Sequence, residues 1–189
     1  MKTVEKSCFE EMDWRGKVAA VPTETVFGLA CKFDDEVAVR KMMEIKNRGI
    51  GSGKVFSLLV SSLSEIERFA VVDDFALGFL RSFFGKSLTV ILPRKGKVSR
   101  YFDNFETIGF RLTGDEFLLS LVSAVGPLIL TSANYRGVAP YATSGEVALG
   151  MPEVDFVVRG AVGGSLPTTV VKIEGEKIEV LRQGEIVIG

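Results

Sequence analysis

Apolar and polar positions in this chain follow two periods, and the two kinds of segment alternate. Short apolar runs occur at Lys17–Val21, Phe56–Val60, Ser87–Leu92, Thr107–Arg111, Leu128–Thr131 and Asp155–Val158. Runs of this length, bounded by turn residues, predict buried strands. Thr169–Ile173 and Lys177–Leu181, joined by Glu174-Gly175-Glu176, predict a closing hairpin. Helical patterns lie between the strands. Asp35 is placed to cap a helix running to about Lys46, with Val37, Ala38, Met42 and Ile45 facing inward. Ser64-Glu65-Ile66-Glu67 and Thr143-Ser144-Gly145-Glu146 both have capping-box spacing and open short helices. Two further helices are predicted at Asp74–Phe84, stopped by Gly85, and at Asp115–Val125, between Gly114 and Gly126.

Strands interleaved with helices place the chain in the α/β (or α+β) class, with a twisted mixed sheet and helices packed on it. The sequence has no internal repeat, low-complexity run or Pro/Gly/Ser-rich linker, so residues 1–189 read as a single domain. A 47% apolar content supports a full core, and a formal net charge of −1 requires any basic site to be local. No run approaches the roughly 18 apolar residues of a membrane span, and the N-terminus lacks a signal-peptide core. Cys8 and Cys31 read as free thiols. A cytoplasmic enzyme is the expectation.

The sequence contains no histidine. That excludes Ser-His-Asp and Cys-His nucleophilic catalysis and any imidazole base. With two cysteines and no histidine, a structural zinc site is disfavoured as well. Chemistry must rest on Lys, Arg, carboxylates, hydroxyls, backbone donors or a hard ion such as magnesium.

Several segments carry candidate chemistry. Pro22-Thr23-Glu24-Thr25-Val26-Phe27-Gly28 follows a buried strand, where hydroxyls and a carboxylate can orient a small polar ligand; a β-turn is the alternative. Lys46-Asn47-Arg48 ends a helix and precedes Gly49-Ile50-Gly51-Ser52-Gly53-Lys54. Cations there are ordinary dipole partners, yet three glycines flanked by Lys and Arg also suit a polyphosphate. The spacing is not that of a Walker A loop. Arg111 ends an apolar strand and must find an anion or reach solvent. Thr131-Ser132-Ala133-Asn134, Thr168-Thr169 and Arg182 add hydroxyls and a cation at strand ends. Together these groups suggest one cleft for an anion.

In order along the chain, these segments resemble the YrdC/TsaC family, from about Gly16 to Gly184. The resemblance rests on Val21–Leu29 (VPTETVFGL), Glu44–Arg48 (EIKNR), Phe56–Val60, Thr107–Leu112, Thr131–Asn134 with Gly137, Pro167–Val171 and Leu181–Gly184. It implies a concave, locally basic cleft and synthesis of threonylcarbamoyl-AMP and pyrophosphate from L-threonine, bicarbonate and ATP with Mg2+. The product would serve t6A modification of tRNA through a downstream threonylcarbamoyl transferase complex. By matching position, Thr23, Ser57, Arg111, Thr131 and Thr168 would surround threonine. Lys46, Arg48, Lys54, Ser132, Asn134 and Arg182 would surround the nucleotide. These are binding groups; no general base is assigned, nor any metal ligand from the protein.

The chain departs from the family pattern at several points. Gly49 stands where proline usually follows the arginine, about two residues are inserted, and Val55-Phe56 replace proline-leucine. Thr113, Arg136 and Pro140 are further departures, and Thr168 replaces a serine while keeping its hydroxyl. Ending at Gly189, the chain resembles the short, single-domain form. Two rival readings are carbamoyl-adenylate chemistry on another substrate and a non-catalytic module that binds tRNA or double-stranded RNA.

Overall fold

A computed structural model of the chain describes residues 1–47, 56–164 and 166–188. Among these, ten strands are β1 Lys2–Val4, β2 Ala19–Val21, β3 Gly28–Lys32, β4 Ser57–Leu59, β5 Leu88–Pro93, β6 Thr107–Leu112, β7 Leu128–Ser132, β8 Phe156–Val158, β9 Thr169–Glu174 and β10 Lys177–Arg182. Five helices are α1 Glu36–Ile45, α2 Leu63–Phe69, α3 Asp74–Phe83, α4 Glu116–Val125 and α5 Ser144–Gly150. The strands form one mixed sheet in the order β1-β8-β2-β3-β7-β4-β6-β5-β9-β10.

Local chemistry accounts for the helix ends. Asp35 accepts from the amides of Val37 and Ala38 to start α1. Asp73 and Asp115 cap α3 and α4 in the same way, and Thr143 and Glu146 form a reciprocal capping box on α5. Asn47, at φ +47°, turns the chain out of α1 in the left-handed conformation that asparagine tolerates.

Three expectations change. Ser62, not Ser64, caps α2 and accepts from the Glu65 amide, so the helix begins at Leu63. Val37 is 68% exposed, because the inward stripe of α1 runs through Ala38, Met42 and Ile45. Gly28–Lys32, part of which was read as a ligand loop, is strand β3, antiparallel to both β2 and β7. The short β1, parallel to β8, was not foreseen.

Both faces of the sheet carry apolar residues, but unequally. One face packs beneath α1, α2, α3 and α5, with Ala20, Leu29, Leu58, Val90, Phe110, Ile129, Val157 and Val171 buried in a continuous core. On the other face, a smaller core of Val4, Phe9, Trp14, Ala19, Val21, Ala30, Leu59, Leu128 and Leu130 packs against Leu118, Leu121 and Val122 of α4. This second layer covers the sheet from β1 to β7 and extends no farther than Leu59 on β4. Over β6, β5 and β9 the same face is uncovered, and a cleft lies there.

Candidate active-site cleft

The cleft has a volume of about 500 Å3, within the usual range for small-molecule sites. Its floor follows from strand alternation. On β6, Ile108, Phe110 and Leu112 enter the core, so Thr107, Gly109 and Arg111 face the cleft. β5 contributes Thr89 and Ile91 in the same way, and β9 contributes Val170 and Lys172. Register places Arg111 beside Thr89 on β5 and Leu59 on β4.

Of the residues expected from sequence, Thr23, Ser57, Arg111, Thr131, Ser132, Thr168 and Arg182 line this cleft. Lys46 and Asn134 stand at its margin rather than in its wall. Lys46 is 4% exposed and donates to the carbonyl of Ser132 at 2.8 Å and to Asn134 Oδ1 at 2.7 Å. Asn134 Oδ1 also accepts from Ser132 Oγ at 2.6 Å, joining helix end and strand end in one knot. Arg48, Lys54 and the glycines between them lie outside the described residues.

Arg111 is the deepest charge, 6% exposed. Its Nη2 donates to Thr25 Oγ1 at 3.2 Å and Ser87 Oγ at 2.9 Å, and lies 3.3 Å from Glu24 Oε1. Its Nε is buried with no partner among the described residues. Burial lowers its pKa below the ordinary arginine value, with Glu24 acting in the opposite sense. The group stays charged, as arginine does in proteins.

Two pairs of hydroxyls stand beside the two arginines, one with each. Thr25 Oγ1 lies 3.1 Å from Thr23 Oγ1, and Thr89 Oγ1 lies 3.1 Å from Thr168 Oγ1. Arg182 donates through Nη2 to the Thr168 carbonyl at 2.8 Å and to its hydroxyl at 3.2 Å. Burial lowers its pKa too. With Lys172, three cations line the cleft, and no carboxylate does among the described residues. Such a wall attracts anions.

Sequence reading missed Thr25, Thr89, Thr107 and Lys172 as cleft residues, and Glu24 and Thr113 as partners behind the wall. Thr25 and Glu24 stood inside a segment already singled out, but the Glu24 carboxylate, expected to orient the ligand, does not line the cleft and instead meets Arg111 and Thr113. The others sit on or beside strands whose apolar alternates were recognised, so alternation carried the signal without saying which face was open.

Among the described residues no group of three potential metal-ligating side chains occurs, and no helix is long and apolar enough to cross a membrane. The cleft offers cations and hydroxyls, a donor set for anionic and hydroxylated ligands.

Comparison with known proteins identifies the family. The family model for Sua5, YciO and YrdC, described as telomere recombination, matches residues 14–184. A candidate threonylcarbamoyl-AMP synthase of Methanocaldococcus jannaschii is 33% identical over 175 residues, 92% of this chain and 82% of that protein. The threonylcarbamoyl-AMP synthase of Klebsiella pneumoniae is 32% identical over 154 residues, 78% of this chain and 79% of the other. The structure of P. abyssi Sua5 complexed with L-threonine superposes with a TM-score of 0.81 at 25% identity, covering 95% of this chain and 52% of that one. This chain therefore spans about half the length of that Sua5 chain. It belongs to the Sua5/YciO/YrdC family.

Proposed function

We propose that the cleft makes threonylcarbamoyl-AMP and pyrophosphate from L-threonine, bicarbonate and ATP. The observation that carries this reading is Arg111: a buried guanidinium with an unpaired Nε, set among hydroxyls in a wall without carboxylates. Arg111 already faces Glu24 behind the wall at 3.3 Å, and on its cleft side it suits an amino acid's carboxylate, which Arg favours through its forked donors. Thr23, Ser57, Thr131 and Thr168 lie where they can fix the substrate's hydroxyl and amine. The names of the M. jannaschii and K. pneumoniae relatives, and the threonine bound to Sua5, support the assignment.

The chemistry requires little from the protein beyond placement. Threonine's amine adds to carbon dioxide derived from bicarbonate, releasing a proton and forming a carbamate. A carbamate oxygen then attacks the α-phosphorus of ATP, and pyrophosphate leaves. Arg182, Ser132, Asn134 and Lys46, with Arg48 and Lys54, are assigned to the nucleotide and its phosphates, where the four cations among them offset the charge of the leaving group. Magnesium enters as part of the MgATP substrate. Aligning two anions for in-line attack is where positioned cations contribute most. The product passes to a transferase that modifies tRNA, and the reaction is placed in the cytoplasm.

The test is pyrophosphate release with MgATP, bicarbonate and L-threonine, each omitted in turn. Release that needs both threonine and bicarbonate, with threonylcarbamoyl-AMP identified by mass, is expected. Release indifferent to threonine would overturn the reading.

A further inference from the structure

Behind Arg111, on the side away from the cleft, a second layer of bonds fixes where the guanidinium points. Glu24 and Thr113 do not line the cleft, and Thr113 is 1% exposed. Thr113 Oγ1 accepts from the Asp115 amide at 3.0 Å, so its own proton is directed to Glu24 Oε1, 2.8 Å away. The same Glu24 oxygen lies 3.3 Å from Arg111 Nη2. Glu24 Oε2 is buried and has no partner among the described residues. The orientation of this carboxylate therefore depends on Oε1 alone, between Thr113 and Arg111. Asp115 also caps α4 by accepting from the Leu118 amide at 2.9 Å. The relay thus runs from a helix end, through a hydroxyl and a carboxylate, to the buried arginine.

We propose that Thr113 is a positioning residue for substrate carboxylate recognition: through Glu24 it sets the Arg111 guanidinium where it lines the cleft to meet threonine's carboxylate. The proposal rests on the function assigned above. A buried arginine has several rotatable bonds, and its affinity for a carboxylate depends on a fixed fork. Thr25 and Ser87 hold Nη2 from one direction, and Glu24 opposes them with the charge that offsets the cost of burial. Without the Thr113 hydroxyl, Glu24 Oε1 loses its neutral donor and the carboxylate can rotate away from Arg111.

The test compares Thr113→Val, which keeps shape and removes the hydroxyl, with Thr113→Ser, which keeps the hydroxyl. Pyrophosphate release is measured against threonine and against ATP separately, with calorimetric L-threonine binding and thermal midpoints recorded alongside. Thr113→Val is expected to raise the threonine KM and Kd about tenfold, the scale of a hydrogen bond to a charged group, and to leave the ATP KM within about twofold. Thr113→Ser is expected to stay within about twofold of wild type on every measure. Glu24→Asp, which keeps the charge and shortens its reach, gives the same threonine-selective loss and covers the case in which the valine variant fails to fold. Unchanged threonine affinity in Thr113→Val or Glu24→Asp, or threonine and ATP constants rising together, overturns the proposal. Wild-type protein that neither needs nor binds threonine overturns the assigned reaction instead, and the positioning role with it.

Discussion

The two faces of β6 show how one strand serves two purposes. Ile108, Phe110 and Leu112 are fully buried against the helices, while Thr107, Gly109 and Arg111, interleaved with them, line the cleft. On β2, at the other end of the sheet, both sets of alternates are buried, because α4 and the N-terminal segment cover the second face. The difference lies in what stands above the strand rather than in the strand itself. Leaving half a face uncovered exposes backbone and small side chains to a ligand, while the opposite core keeps those strands rigid. A site built on such strands gains precision that loops give less readily.

Substitutions at adjacent positions break this comparison most sharply. Phe110→Ala empties a fully buried site and should cost about 3–5 kcal/mol of stability, read by denaturant unfolding. Its neighbour should behave in the opposite way. Arg111→Ala is expected to lower threonine-dependent turnover by about a hundredfold or more while the protein remains folded by circular dichroism, since truncating one partner of a paired charge costs several kcal/mol of binding. Lys46→Ala should match that loss of turnover through the knot at Ser132 and Asn134. Near-normal activity in both would refute the site assignment.

A smaller effect is expected where the tail after β10 meets the cleft wall. The Gly184 amide donates to Thr169 Oγ1 at 2.9 Å, and Thr169 Oγ1 donates to the Ile186 carbonyl at 2.6 Å. A Cβ on Gly184 would run into the Pro167 carbonyl oxygen and the Thr169 nitrogen. Gly184→Ala should therefore displace the tail from Thr168 and lower the thermal midpoint, at about 1–3 kcal/mol. Because Arg182 holds the Thr168 carbonyl, the KM values should rise as well. A stable variant with unchanged kinetics would separate the tail from the site.

The core was the legible part of this sequence, since burial writes its period directly into the strands. Phe56–Val60, Thr107–Arg111 and Leu128–Thr131 were recognisable for that reason. β3 was obscured because Gly28 and Leu29 close a motif whose Thr and Glu drew attention to ligand binding. The capping error at α2 has a similar origin: Ser62 and Ser64 both precede a glutamate by three residues, and only packing of Ile66 and Phe69 selects between them. Thr23, Ser57, Arg111, Thr131 and Thr168 were found through the order of motifs. Thr89 and Lys172 were not, because their place in the cleft comes from strand register, and register between distant segments is not written locally.

The mildest expected effect lies under the covered half of the sheet and tests whether the two halves are energetically separate. Asp155 accepts from the Val18 amide at 2.9 Å and from Lys41 Nζ at 2.7 Å, tying the start of β8 to β2 and α1. Burial alone would raise its pKa, but the bonds from Lys41 and Val18, with the charges of Lys41 and Lys17, hold it below the ordinary carboxylate value. A carboxylate depressed by folding stabilises the native state above its unfolded pKa, and that contribution fades as pH falls through the lower folded value. Asp155→Asn should therefore cost about 1 kcal/mol at neutral pH, and the gap to wild type should narrow as pH falls below about 4. Turnover at neutral pH should be unchanged, because Asp155 contributes nothing to the cleft wall. A pH-independent deficit would assign the loss to packing rather than charge. A fall in threonine affinity would show that the closed half of the sheet sets the geometry of the open one.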